Sequence, residues 1–132
     1  MRYLSLWREK LRKALDEPST RDLVKELEAV VQEILEKHKP ISIILAGSAA
    51  KSRFVRGLSD IDLLVITEES PSKENRFVLK AVEDVDVEVT VFSLEEVLEN
   101  VDKNPFVADA IQSGCEIHGN LLETLRKQAK LP

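Results

Sequence analysis

The chain has 132 residues, 43% of them apolar and 33% charged, which supplies one domain with one core and leaves no length for a second catalytic domain. A formal net charge of −5 excludes a general nucleic-acid coat protein, because affinity for a phosphate backbone needs a dominant basic surface; a local basic patch stays compatible. No apolar stretch approaches the roughly 20 residues of a membrane span, and MRYLSLWREKLRK lacks the apolar segment of a secretion signal, so a cytoplasmic protein without membrane contact is expected.

Leu4, Trp7, Leu11, Ala14 and Leu15 recur at helical spacing, and Pro18 closes this first amphipathic helix. Ser19-Thr20-Arg21-Asp22 offers a capping box for a second helix, whose apolar stripe of Leu23, Val24, Leu27, Val30, Val31, Ile34 and Leu35 runs to Lys39 before Pro40. ISIILA (41–46) is a short, β-branched, continuously apolar run, as a strand covered on both faces would be. Gly47 turns the chain into a short helix over 48–56, and DIDLLVIT (60–67) is the second strand. Ser70 as cap and Pro71 at the first helical position predict a helix through about Val82.

VDVEVTVF (85–92) alternates Val85, Val87, Val89 and Val91 on one face with Asp86, Glu88 and Thr90 on the other, the pattern of a half-buried strand. Ser93 and Glu96 form a capping box for a helix over 94–101, Asn104-Pro105 opens another, and Gly114 ends it. Residues 115–118 read as an edge strand and Asn120 as the cap of a last helix to about Lys130. Cys115 is the single cysteine, so there is neither an intrachain disulfide nor a cysteine-built metal site, and it reads as a small buried hydrophobe. The expected fold is a small α/β (α+β) sandwich: a mixed β-sheet with helices packed on it, in one domain of N-terminal helices (1–39), strands carrying the chemistry (41–92) and C-terminal helices (93–132).

Asp60 and Asp62 are the residues whose chemistry stands out. Side chains two apart on a strand share a face, and at about 7 Å two ionised carboxylates repel by roughly 2 kcal/mol at an effective dielectric of about 20. A cation offsets that repulsion, and oxygen-only ligands suit Mg²⁺, which takes one or two carboxylates plus substrate phosphates. Separated from Asp60 by eleven intervening residues, Gly47-Ser48 would offer backbone N–H groups and a hydroxyl to phosphate. Lys51, Arg53 and Arg56 follow, as phosphate-neutralising cations or as a solvated basic face. His38 and His118 have no partner at metal-ligand or triad spacing, and Trp7 reads as core.

The segment ILAGSAAKSRFVRGLSDIDLLVIT resembles the signature of the DNA polymerase β-type nucleotidyltransferase superfamily, in which one strand ends in Gly-Ser and the next carries Asp-x-Asp; the small prokaryotic members are the minimal nucleotidyltransferases. The resemblance implies two metal ions, Mg²⁺ or alternatively Mn²⁺, held by Asp60, Asp62 and a third carboxylate. Glu88 in mid-strand is preferred for the third, with Asp86 as fallback. It also implies an NTP, ATP first, bound at Gly47, Ser48, Lys51 and Arg53, and a protein or RNA 3′-end acceptor. Many such proteins work with a helical HEPN-type partner as the antitoxin of a toxin–antitoxin pair, and homo-oligomers are compatible with the sequence. Two positions depart from the pattern: Ala49 stands where a basic residue is common and Ser52 where a glycine is common. These two favour the competing expectation, a non-catalytic module that keeps the fold to bind a nucleotide or a partner.

Overall fold

The computed structural model describes residues 6–129. Chain order gives α1 (Leu6–Ala14), a 3₁₀ turn (Arg21–Leu23), α2 (Val24–His38), β1 (Ser42–Ala46), the one-turn α3 (Gly47–Ala50), β2 (Ile61–Thr67), a second 3₁₀ turn (Lys73–Asn75), β3 (Phe77–Val82), β4 (Val85–Ser93), α4 (Leu94–Asn100), α5 (Pro105–Ser113), β5 (Cys115–His118) and α6 (Leu122–Ala129). The five strands form one sheet in the order β3-β4-β2-β1-β5. Only the β2–β4 pair is parallel; the other neighbours are antiparallel, so the sheet is mixed as expected.

The sheet separates two cores. On one face Trp7, Leu11 and Leu15 of the first helical segment and Leu27, Val31 and Ile34 of α2 pack against Ile43, Leu45, Leu63, Val65 and the four valines of β4. The N-terminal helices therefore lie under the sheet, and Trp7 belongs to this core with the Arg8 guanidinium 4.3 Å above its ring. On the other face Ile44, Leu64 and Ile66 meet Val97, Val107, Ala110 and Ile111 of α4 and α5 and Leu122 and Leu125 near the C-terminus. β1 is buried at all five positions, which accounts for its unbroken apolar run. No helix among the described residues is long and apolar enough to cross a membrane.

Three local expectations are corrected. The segment 71–82 is not a helix: after the 3₁₀ turn, Phe77–Val82 is an edge strand that closes an antiparallel hairpin with β4, pairing Val82 with Val85 across the two-residue turn Glu83-Asp84. Glu83 takes a left-handed φ of 55° there, a conformation that Asn or Gly advertise in sequence and Glu does not. Ser19–Asp22 makes no capping box. Thr20 is buried and donates its hydroxyl to the Leu15 carbonyl at 2.8 Å, and α2 begins only after the 3₁₀ turn. The first N–H groups of the last helix, at Leu121 and Leu122, are accepted by the Glu116 carboxylate rather than by Asn120.

The remaining caps match their signals. Ser93 and Glu96 exchange both bonds of a capping box, and Asn104 accepts from the N–H groups of Phe106 and Val107. Gly114 ends α5 in an extended conformation, not a left-handed one. A glycine is needed because a Cβ would lie 2.2 Å from the Ala110 carbonyl oxygen and 2.5 Å from Ile44.

Candidate active site

β1 and β2 run antiparallel with Ala46 opposite Asp62, so the end of β1 and the start of β2 lie side by side. The chain between them is a loop pinned at both ends. Phe54 is buried in the α1–α2 core, and Arg56 is a clamp, donating to both Asp22 oxygens, to Asp84 and to the Ser19 carbonyl. These bonds occupy the Arg56 guanidinium in a structural role.

Gly47 has a φ of 69°, and a Cβ built on it would lie 2.4 Å from Asp62 Oδ2. The Asp62 carboxylate thus rests on the bare Cα of the Gly-Ser corner. Two constraints, a left-handed backbone and this close approach, both call for glycine at position 47. The corner then continues through one helical turn, with Lys51 N–H and Arg53 N–H both donating to the Ser48 carbonyl.

The parallel register places Asp62 directly opposite Glu88. Both project on the α4–α6 face of the sheet, since Leu64 and Ile66 continue the Asp62 side into that core. Asp60, in the loop just before β2, lies against Glu88. That contact raises the Glu88 carboxyl to about 7, with burial and the charges of Asp62, Asp60 and Asp86 adding to it. Asp62 is raised to about 6, first by burial and then by the neighbouring charges of Asp60 and Asp109. Asp86 is on the same side of β4 but exposed, opposite Ala81 of the edge strand. The structure therefore sets Glu88 opposite Asp62 with Asp60 beside it, and leaves Asp86 exposed.

Lys51 reaches across to α5, where its Nζ lies 2.7 Å from Asp109 Oδ1. Asp109 carried no signal in the sequence; it sits in a helix whose spacing reads only as packing. Arg53 is exposed and forms no ion pair among the described residues. Cys115 is half-buried against the α1–α2 core, its Sγ 4.0 Å from the Ala50 carbonyl oxygen.

The sequence matches the model of the nucleotidyltransferase domain family over residues 27–117, a span that contains β1 to β4, the Gly-Ser corner and all three carboxylates. The chain belongs to this family. No curated protein matches it. Among solved structures, a nucleotidyltransferase-like protein from Exiguobacterium sibiricum 255-15 superposes with a TM-score of 0.57 at 17% identity, covering 82% of this chain and 39% of the other. That likeness is one of fold. The chain spans well under half the length of this nucleotidyltransferase-like protein.

Family membership implies a divalent metal, and the donor chemistry fits one. The three groups are all carboxylates, hard oxygen donors of the kind that suit such an ion. Among the described residues no three acidic, histidine or cysteine side chains are yet gathered around one point in metal-holding geometry.

The two departures from the family pattern find different explanations. Ala49 is buried, with 4% exposure, in the α1–α2 core, so in this chain position 49 does not face the phosphate side and its loss of a basic residue costs no contact there. Ser52 has a left-handed φ of 57°, the conformation a glycine adopts without cost. Ser52→Gly is therefore expected to stabilise the protein by about 0.5–1 kcal/mol in urea unfolding, as relief of left-handed strain outweighs the added freedom of the unfolded chain. An unchanged or lower midpoint would show that Ser52 makes compensating contacts.

Proposed function

We propose that this nucleotidyltransferase moves a nucleoside monophosphate, AMP from ATP first, to a hydroxyl on a separate protein or RNA. The observation that carries this reading is the register that sets Asp62 opposite Glu88 while the Asp62 carboxylate lies against the Gly47-Ser48 corner. Asp60, Asp62 and Glu88 would hold Mg²⁺, or Mn²⁺ in its place. Bound there, such ions would neutralise the triphosphate and act as Lewis acids toward its phosphoryl oxygens.

The chain's own groups do the rest. Gly47 lets the backbone come close to the β- and γ-phosphates, and the Ser48 hydroxyl donates to them. Lys51 and Arg53 add positive charge on the same side. The acceptor oxygen bonds the α-phosphorus as the bond from that phosphorus to the β-phosphate oxygen breaks and pyrophosphate leaves. In this reading Glu88 takes the acceptor's proton.

The resemblance of the Gly-Ser to Asp-x-Asp segment to the minimal nucleotidyltransferases supports a helical partner of the HEPN type as acceptor or complex mate. Calorimetry of MgATP binding to the wild type, Asp60→Ala and Asp62→Ala tests the site. Binding should weaken at least tenfold in both variants, and equal binding in all three would remove the metal role and leave a non-catalytic module. Incubation with labelled NTPs and the neighbouring gene product, read by intact mass, tests the acceptor. A product that neither co-elutes nor gains a nucleotide sinks the pairing.

A further inference from the structure

We propose that the Lys51–Asp109 ion pair is a latch that opens when a polyphosphate binds: Lys51 exchanges the Asp109 carboxylate for phosphate oxygens, making Asp109 a positioning residue for nucleotide affinity. The inference rests on the reading of Gly47-Ser48 as the phosphate corner, and it assigns a role to a residue on α5 that lies outside the strands of that site.

Lys51 follows the corner directly, and its N–H is tied to the Ser48 carbonyl at 3.1 Å, so the start of the lysine side chain is fixed beside the proposed phosphate position. Its ammonium is free to turn about the side-chain bonds but is held at 2.7 Å by Asp109. The pair is about one-third exposed on each side, open enough for a second anion to compete. Asp109 is also close enough to Asp62 to act on it electrostatically.

Held by Asp109, the Lys51 ammonium is occupied by one carboxylate, while its backbone stays tied to the Gly47-Ser48 corner. A triphosphate offers several charged acceptors against one carboxylate, so it wins the exchange. The cost is breaking a part-exposed ion pair, which lowers apparent affinity by a small factor.

Titrations of MgATP and of inorganic tripolyphosphate into wild type, Lys51→Met, Asp109→Asn and the double variant decide the matter, with thermal melts confirming that each is folded and Asp109→Ser as a second replacement. With Lys51 present, removing Asp109 should tighten both ligands by about two- to fivefold, the range of a part-exposed ion pair. With Lys51→Met, removing Asp109 should change neither, and adenosine should bind all four proteins alike. Lys51→Met alone should weaken both ligands several-fold. If Asp109→Asn weakens or leaves unchanged the binding of ligands that Lys51→Met also weakens, the latch is wrong while the phosphate corner stands. If wild type binds neither ligand, the phosphate corner itself fails and the latch with it.

Discussion

Asp62→Asn is expected to stabilise the metal-free protein at pH 8 and to leave it unchanged near pH 3.5, while removing transfer activity. The sign follows from the raised carboxyl. Asp62 holds its proton to about pH 6 in the folded chain against an ordinary 3.8, so between these values the unfolded chain has already released a proton that the folded chain retains. Folding stability therefore falls as pH rises through that window and stays lower above it. The displacement converts at about 1.4 kcal/mol per pH unit, and solvent screening of a half-buried group reduces the total to about 1–2 kcal/mol. An uncharged isostere escapes this penalty, so the variant should melt about 3–8 °C higher than wild type at pH 8. Added Mg²⁺ should reverse the order at pH 8 by stabilising only the wild type. Activity should fall by about a thousandfold, since metal-held charge contributes several kcal/mol to such transition states. An equal melting shift at both pH values would mean that Asp62 does not carry the repulsion assigned to it.

The same residues show what a sequence can and cannot say. The alternation of Val85, Val87, Val89 and Val91 against Asp86, Glu88 and Thr90 states which face of β4 is buried, and the valines are all buried. Placing Glu88 rather than Asp86 beside the aspartates required the parallel pairing of β2 with β4, a long-range register that no local spacing encodes. Arg56 and Lys51 look alike in sequence, two cations downstream of Gly-Ser. One is spent on Asp22 and Asp84, brought close by chain segments 34 and 28 residues away, and the other is lent to Asp109. The missed strand β3 illustrates the opposite failure. Ser70-Pro71 is a sound start for a helix, and Phe77, Leu79 and Ala81 are exposed on the edge strand, so no burial pattern marked it against helical propensity.

Position 49 sharpens the distinction between motif and environment. By pattern, an alanine after Gly-Ser looks like a lost phosphate ligand. In the fold its side chain belongs to the core with Phe54, while Lys51 is paired with Asp109 and Arg53 is exposed. Position 52 keeps the glycine-like backbone without the glycine. Both departures leave the carboxylate cluster intact, which is why the site's metal side and phosphate side can be tested separately.

Gly47→Ala is expected to damage both sides at once. A left-handed φ of 69° costs a Cβ-bearing residue about 1–2 kcal/mol. The new methyl would also occupy the position of Asp62 Oδ2, 2.4 Å away, where no real Cβ contact is found. Asp62 is on a strand paired on both sides, so the backbone cannot retreat, and the carboxylate must rotate off the corner or the corner must lift from β2. Either movement separates the phosphate corner from Asp62. The expected result is a loss of about 2–4 kcal/mol in urea unfolding together with MgATP binding weakened at least tenfold. Combining the change with Asp62→Gly, which removes the obstructing carboxylate, separates the two causes. The double variant should lose less stability than the two single changes summed, because their steric term is shared. Simple additivity would show that the backbone strain at Gly47 acts alone and that Asp62 does not rest on the corner in solution.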